Sequence, residues 1–223
     1  MSEKEKKRLI SGIVILVCFN AILITSSVIS GLQKGNVMLR FQERQTVTLF
    51  SALFLGFTAL TSLYIFLLKK SSALKSERRM FWLLSAIGFF YLSMDEYFMA
   101  HEGIDEAIGS LFGLYIKHLN LDNMIIAVYG LIALATAYYF RRAIMEHKVI
   151  LPCLVLGTVG LFGTVLFHCF ERFDIIYEVV EESFKIAGVT FFFLAYFLAL
   201  LSSLDQLINT AHSQPKRQGY LPD

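Results

Sequence analysis

Six apolar stretches, each close to twenty residues long, constrain this chain more than any motif it contains. A helix needs about 20 mainly apolar residues to cross about 30 Å of hydrocarbon. The stretches run from Leu9 to about Leu32, from about Val47 to Leu68, from Met80 to about Ala100, from about Met124 to Phe140, from Val149 to about Phe167, and from about Ser183 to Leu204. The expected fold is an all-α integral membrane protein, a six-transmembrane helical bundle. Composition points the same way: 56% of the 223 residues are hydrophobic and 17% charged, where a soluble domain runs near 45–50% and about 25%. A secreted disulfide scaffold, a disordered chain and an ordinary soluble enzyme are excluded. A net charge of +2 gives no reason to expect nucleic acid.

Charge placement orients the bundle. With the N-terminus in the cytoplasm, 14 Lys and Arg fall on the inner side, in the segments around Lys4–Arg8, Lys69–Arg79, Arg141–Lys148 and Lys216–Arg217; the other 6 fall outside. Acids are biased the opposite way. Cytoplasmic loops collect Lys and Arg, so both termini are expected inside, in a plasma (inner) membrane. The organisation is a cytoplasmic segment 1–8, a membrane domain 9–204 and a cytoplasmic tail 205–223. Lys4, Lys6, Lys7 and Arg8 before the first stretch resemble a signal peptide, but the apolar run is too long and no small-x-small cleavage site follows, so it reads as a retained anchor.

Between the third and fourth stretches, Ile104, Ile108, Leu111, Phe112, Tyr115 and Leu119 recur with helical spacing. The segment Gly103–Asp122 is too polar to span and is expected as an interfacial amphipathic helix on the outer side, either a connector or a lid. Gly157, Gly160 and Gly163 in the fifth stretch are small residues at which membrane helices approach closely. Cys18, Cys153 and Cys169 form no CxxC and no even set, so no disulfide framework is implied. Asn20, Ser26 and Ser27 can bond across helices, and Trp82, Tyr138 and Tyr139 read as aromatic anchors near span ends.

The chemistry gathers at one membrane face. The third stretch ends with Asp95, Glu96, His101 and Glu102. The fifth ends with His168, Cys169 and Glu171. The sixth is entered through Glu178, Glu181, Glu182 and Lys185. At about 100° per residue, Asp95, Glu102 and Glu106 share one stripe, flanked by Glu96 and His101. Ionised acids inside a span cost about 2.5–3.5 kcal/mol each, and the third span offers no cation of its own near Asp95 and Glu96. They therefore need a cation from elsewhere: a metal, a proton, Lys185 or Arg172. Lys185 can form a structural ion pair with Glu181 or Glu182, one turn away. Asp105, Glu106, His118, Asp122, Glu171 and Asp174 read as wetted helix ends or loops.

The stretch Ser93-x-Asp95-Glu96-x4-His101-Glu102, with the late pair Glu181–Glu182, resembles a pattern in small uncharacterised prokaryotic polytopic membrane proteins. The resemblance covers two short stretches and implies no activity. The alkaline ceramidase-like membrane hydrolases hold a zinc site in a helical bundle, but their late His-x-x-x-His pair is missing here and the span count is six rather than seven.

Three functions compete. A membrane-embedded metal-dependent enzyme, a hydrolase acting on a membrane lipid or other amphiphile, uses most of these residues. Asp95, His101, Glu102, His168, Glu178 and Glu182 would be ligands to a divalent transition metal such as Zn, Mn or Fe. Glu96 would be the catalytic base for a metal-activated water. A proton or divalent-cation transporter or channel would need polar groups continuing toward the inner side, where the spans carry almost nothing ionisable. A non-catalytic subunit of a membrane complex would use the acids to bind a basic partner. A site filled only by Lys185 or Arg172 would put the third reading above the first.

Overall fold

The computed structural model describes residues 3–37, 40–41, 45–71, 76–100, 103–104, 121–168 and 175–213; side chains are described for these except at 71, 76–78, 121–123, 168, 175 and 210–213. Residues 105–120 of the expected interfacial helix, with His101, Glu102, Cys169 and Arg172, lie outside the described residues. The chain is all-helical, with no strand among the described residues. The helices are α1 (Glu3–Gln33), α2 (Thr46–Ser71), α3 (Ser76–Phe98), α4 (Leu121–Tyr139), a short α5 (Arg141–Met145), a single 3-10 turn (Lys148–Ile150), α6 (Leu151–His168) and α7 (Ile175–Ser213). Four are long and apolar enough to cross a membrane: Glu3–Gln33, Thr46–Lys70, Lys148–Phe167 and Ile176–Asn209. The apolar run of α4 is shorter, Met124–Tyr139, and α3 carries Ser85, Ser93, Asp95 and Glu96 within its length.

The longest element organises the rest. α7 has 39 residues, about 58 Å at 1.5 Å per residue, and it packs against α6, α2 and α1. Its faces divide by partner. Phe184, Gly188 and Phe192 meet α6, where a Cβ added to Gly160 would lie 2.6 Å from the Gly188 backbone and one on Gly163 would strike the Phe184 ring. The three glycines of α6 thus serve close helix contact, and Gly188 is their counterpart on α7. Lys185 and Tyr196 turn toward α3. Thr190 turns toward α1, accepting a hydrogen bond from Asn20 at 2.9 Å.

Two apolar clusters sit at different heights. One joins Ile65, Phe81, Trp82, Ile144, Ile150, Cys153 and Tyr196; the other joins Leu23, Phe41, Val47 and Ile186. Trp82 corrects the sequence expectation. It is 0% exposed, packed edge-on against Phe81 and Tyr196, so it is a core residue rather than an interfacial anchor. Tyr138 and Tyr139 do stand exposed. α4 is the outlier: most of its surface is bare, and it reaches the bundle side-on through a Tyr129–Tyr91 hydroxyl pair at 2.7 Å.

The first and last helices meet at their ends. Lys4 and Arg8 of α1 both pair with Asp205 of α7. That end of the bundle also holds Lys69, Lys70, Arg141 and Arg142, and is called the basic end below. The opposite, acid end holds the C-terminal turns of α3 and the N-terminal turns of α7.

Candidate functional site

The acid end is built by two helices. Asp95 and Glu96 occupy the last turn of α3, which closes at Met99 with a positive φ of 59°. The Met99 amide still donates to the Asp95 carbonyl at 2.7 Å. A left-handed residue that is not glycine costs about 1–2 kcal/mol, and it interrupts the helix just beyond the acids. Ser93, one turn earlier, donates to the Ala52 carbonyl of α2 at 2.7 Å and fixes the height of α3 against its neighbour.

Lys185 lies between two carboxylates. Its ammonium is 2.6 Å from Glu182 Oε1, one turn back on α7, and 3.0 Å from Glu96 Oε1 on α3. Of the two candidate partners on its own helix, Glu182 takes the ammonium. Glu182 is 7% exposed and its second oxygen, Oε2, is buried without a hydrogen-bond partner. One buried carboxylate, Glu182, and one half-buried, Glu96, share one ammonium, so with both acids ionised the triad would hold one negative charge more than Lys185 balances. Asp95, the neighbour of Glu96 in sequence, is 6% exposed. Glu178 and Glu181 are half-buried earlier on α7.

Glu96 and Glu182 are drawn together from the third and sixth stretches. His101 and Glu102 lie outside the described residues, and His168 ends α6 without a described side chain. Among the described residues no set of three or more His, Cys, Asp or Glu converges as metal ligands do.

Below the triad, polar groups recur inside the bundle. Asn20 donates to Thr190, and Tyr196 donates to Ser85 of α3 at 2.9 Å. At the basic end comes a second ionisable group that sequence reasoning missed. His147, in the linker after α5, is 2% exposed, with Lys69 of α2 at 3.2 Å and Ser202 of α7 at 3.4 Å. Lys69 also reaches Glu146 at 3.4 Å. A signal was available: Ala143, Ile144, Val149 and Ile150 flank His147, and a linker this apolar is one that packs inward.

No curated protein and no solved structure matches the chain. A family model described as Domain of unknown function (DUF8692) matches residues 11–200, a span that takes in the Glu96–Lys185–Glu182 triad and His147, and the chain belongs to that family.

Proposed function

We propose that this chain is a six-span membrane protein that binds and moves a proton or a small cation, with the Glu96–Lys185–Glu182 triad as its binding centre. The carrying observation is the charge ratio of that triad: two carboxylates, Glu182 buried and Glu96 half-buried, on one ammonium. A further positive charge is favoured there because an unbalanced buried charge costs several kcal/mol, on the order of the penalty per ion in a protein interior. A proton on Glu182, or a small cation on its unpartnered Oε2, removes that cost. Lys185 supplies one of the two positive charges that Glu96 and Glu182 would need, so a transition metal is no longer the sole way to balance them.

The polar steps along α7 support movement rather than a static scaffold. From Lys185 to Thr190, Tyr196 and Ser202 the intervals are five, six and six residues, about 7–9 Å of rise each. Buried Val189, Leu194, Ala195, Leu198 and Ala199 fill the gaps. This conformation is therefore closed to a hydrogen-bonded chain, and passage calls for rearrangement or water entry. The pairing of Lys4 and Arg8 with Asp205 supports an even number of crossings, and the Lys and Arg excess supports a cytoplasmic basic end.

The test is flux in reconstituted vesicles. Protein would be placed in liposomes carrying a pH-sensitive dye, with parallel traps for monovalent and divalent cations. Wild type should dissipate an imposed gradient, and Glu182→Gln should abolish most of that activity. Fluxes equal to empty vesicles for every ion would sink the reading and favour the non-catalytic subunit. Bound transition metal in purified protein, lost in Asp95→Ala, would revive the enzyme.

A further inference from the structure

The basic end holds an ionisable centre that the reading above does not use. His147 meets four elements. An ammonium has only donors, so Lys69 Nζ of α2 donates to His147 Nε2 at 3.2 Å. That leaves the ring proton on Nδ1, which points at Ser202 Oγ of α7. The Trp82 ring of α3 stands edge-on to the imidazole at 5.7 Å between centroids, and the Lys69 ammonium is 5.5 Å from the centre of that same indole. The charges facing the ring are Lys69, exposed Glu146 beside it in the linker, and half-buried Glu5 of α1. The flanking linker residues Ile144 and Ile150 are buried in the same core cluster as Trp82.

We propose that His147 is a proton-binding site at which a proton from the basic side and the Lys69 ammonium compete for one lone pair, that of Nε2. When the proton binds, an N–H bond forms at Nε2 and the ring no longer accepts from Lys69. Two cations then stand 3.2 Å apart, and Lys69 has Glu146, 3.4 Å away, to turn to. The tie between the linker and α2 thereby passes from His147 to Glu146, its neighbour in the same linker. Conversely, a Lys69 that has already turned to Glu146 leaves His147 ready to accept a proton. Occupancy of the ring and the Lys69–His147 contact are thus alternatives. The site stands whether or not the acid-end triad binds an ion.

Burial, and then the Lys69 charge, push the imidazole down from 6.5 to about 4, against a smaller upward pull from Glu146 and Glu5. The ring is therefore neutral at pH 7 while Lys69 remains in place.

Trp82 is the chain's one tryptophan, so it reports on its neighbour. An imidazolium quenches an adjacent indole far more than neutral imidazole does. Full-length protein in nanodiscs would be titrated from pH 7.5 downward while emission is followed, with far-UV circular dichroism confirming that the helices persist. Wild type should lose emission in a step near pH 4. The step should vanish in His147→Gln. In Lys69→Met it should move up by about one pH unit or more, since a neighbouring like charge is removed. A wild-type step near 6.5, a step that survives His147→Gln, or one that Lys69→Met leaves in place overturns the proposal. Should His147→Gln fail to fold, histidine-labelled wild type decides it by NMR. One of the five histidines should titrate near 4 and shift in Lys69→Met; five ordinary titrations refute the site.

Discussion

Each end of the bundle places one lysine ammonium in the interior, and the two lysines keep different company. At the acid end Lys185 is shared by two carboxylates, Glu96 and Glu182, both largely removed from water. At the basic end Lys69 is shared by one exposed carboxylate, Glu146, and one buried neutral imidazole, His147. The first group sets two carboxylates against one ammonium; the second sets one carboxylate and a neutral imidazole against one, and can take up a proton only by giving up a contact. On the function proposed for the acid end, the balance of buried charge, and not the number of charged residues at an end, is what separates a cation site from one that resists a proton.

The sharpest way to break this comparison is to remove each lysine in turn. Lys185→Met leaves Glu96 and Glu182 buried without a cation, and stripping one partner from a buried ion pair costs about 3–5 kcal/mol. Thermal unfolding in detergent should show the largest loss of any single substitution discussed here. Adding Glu182→Gln should recover part of it, because the second change removes the stranded charge. A double variant as unstable as the sum of both single variants would show that the triad is not an energetic unit.

The two ends also differ in how far the sequence announces them. Asp95 and Glu96 interrupt an apolar run, and charge inside hydrocarbon is conspicuous. Glu182 and Lys185 stand one turn apart at the head of another. What linear order could not supply is that Glu96 and Glu182, 86 positions apart, share one ammonium, which depends on how α3 leans on α7. The basic end was hidden for the opposite reason. Glu146 and His147 lie where loops are expected, and charges in loops are unremarkable; folding then carried His147 into the core. Trp82 was misread on the same ground, since its place near a helix start suits an anchor as well as a buried ring. The glycines of α6 were legible as a packing stripe. Gly188 was not, because a lone glycine between Ala187 and Val189 has no pattern around it.

A smaller effect is expected from Lys69→Met. Glu146 is exposed and keeps its water, so the main loss is a donor for the buried Nε2 of His147, about 1–3 kcal/mol at neutral pH. The pH dependence gives this its own signature. The folded imidazole is held near 4 while the unfolded one titrates near 6.5. Its stabilising contribution is therefore complete above pH 6.5 and is lost as pH falls through that value toward 4, because the unfolded chain binds the proton first. Lys69→Met raises the folded value and so should flatten the fall in unfolding free energy across that window. A loss larger than that of Lys185→Met would overturn the ranking of the two ends.

The mid-bundle pair supplies an uncharged reference and the smallest expected change. Asn20 donates to Thr190 in a buried setting, but its own Oδ1 is buried without a partner. Asn20→Leu therefore discards one hydrogen bond and one unsatisfied acceptor together. Hydrogen bonds between membrane helices average about 0.6 kcal/mol and reach about 1.7, and removal of the orphaned oxygen offsets part of that. Unfolding of Asn20→Leu should lie close to wild type, and Asn20→Leu with Thr190→Val should lie closer still, since the second change removes the hydroxyl that lost its donor. If Asn20→Leu destabilises as strongly as Lys185→Met, then polar burial of any kind, rather than unbalanced charge, sets the energetics of this bundle, and the distinction between its two ends loses its physical basis.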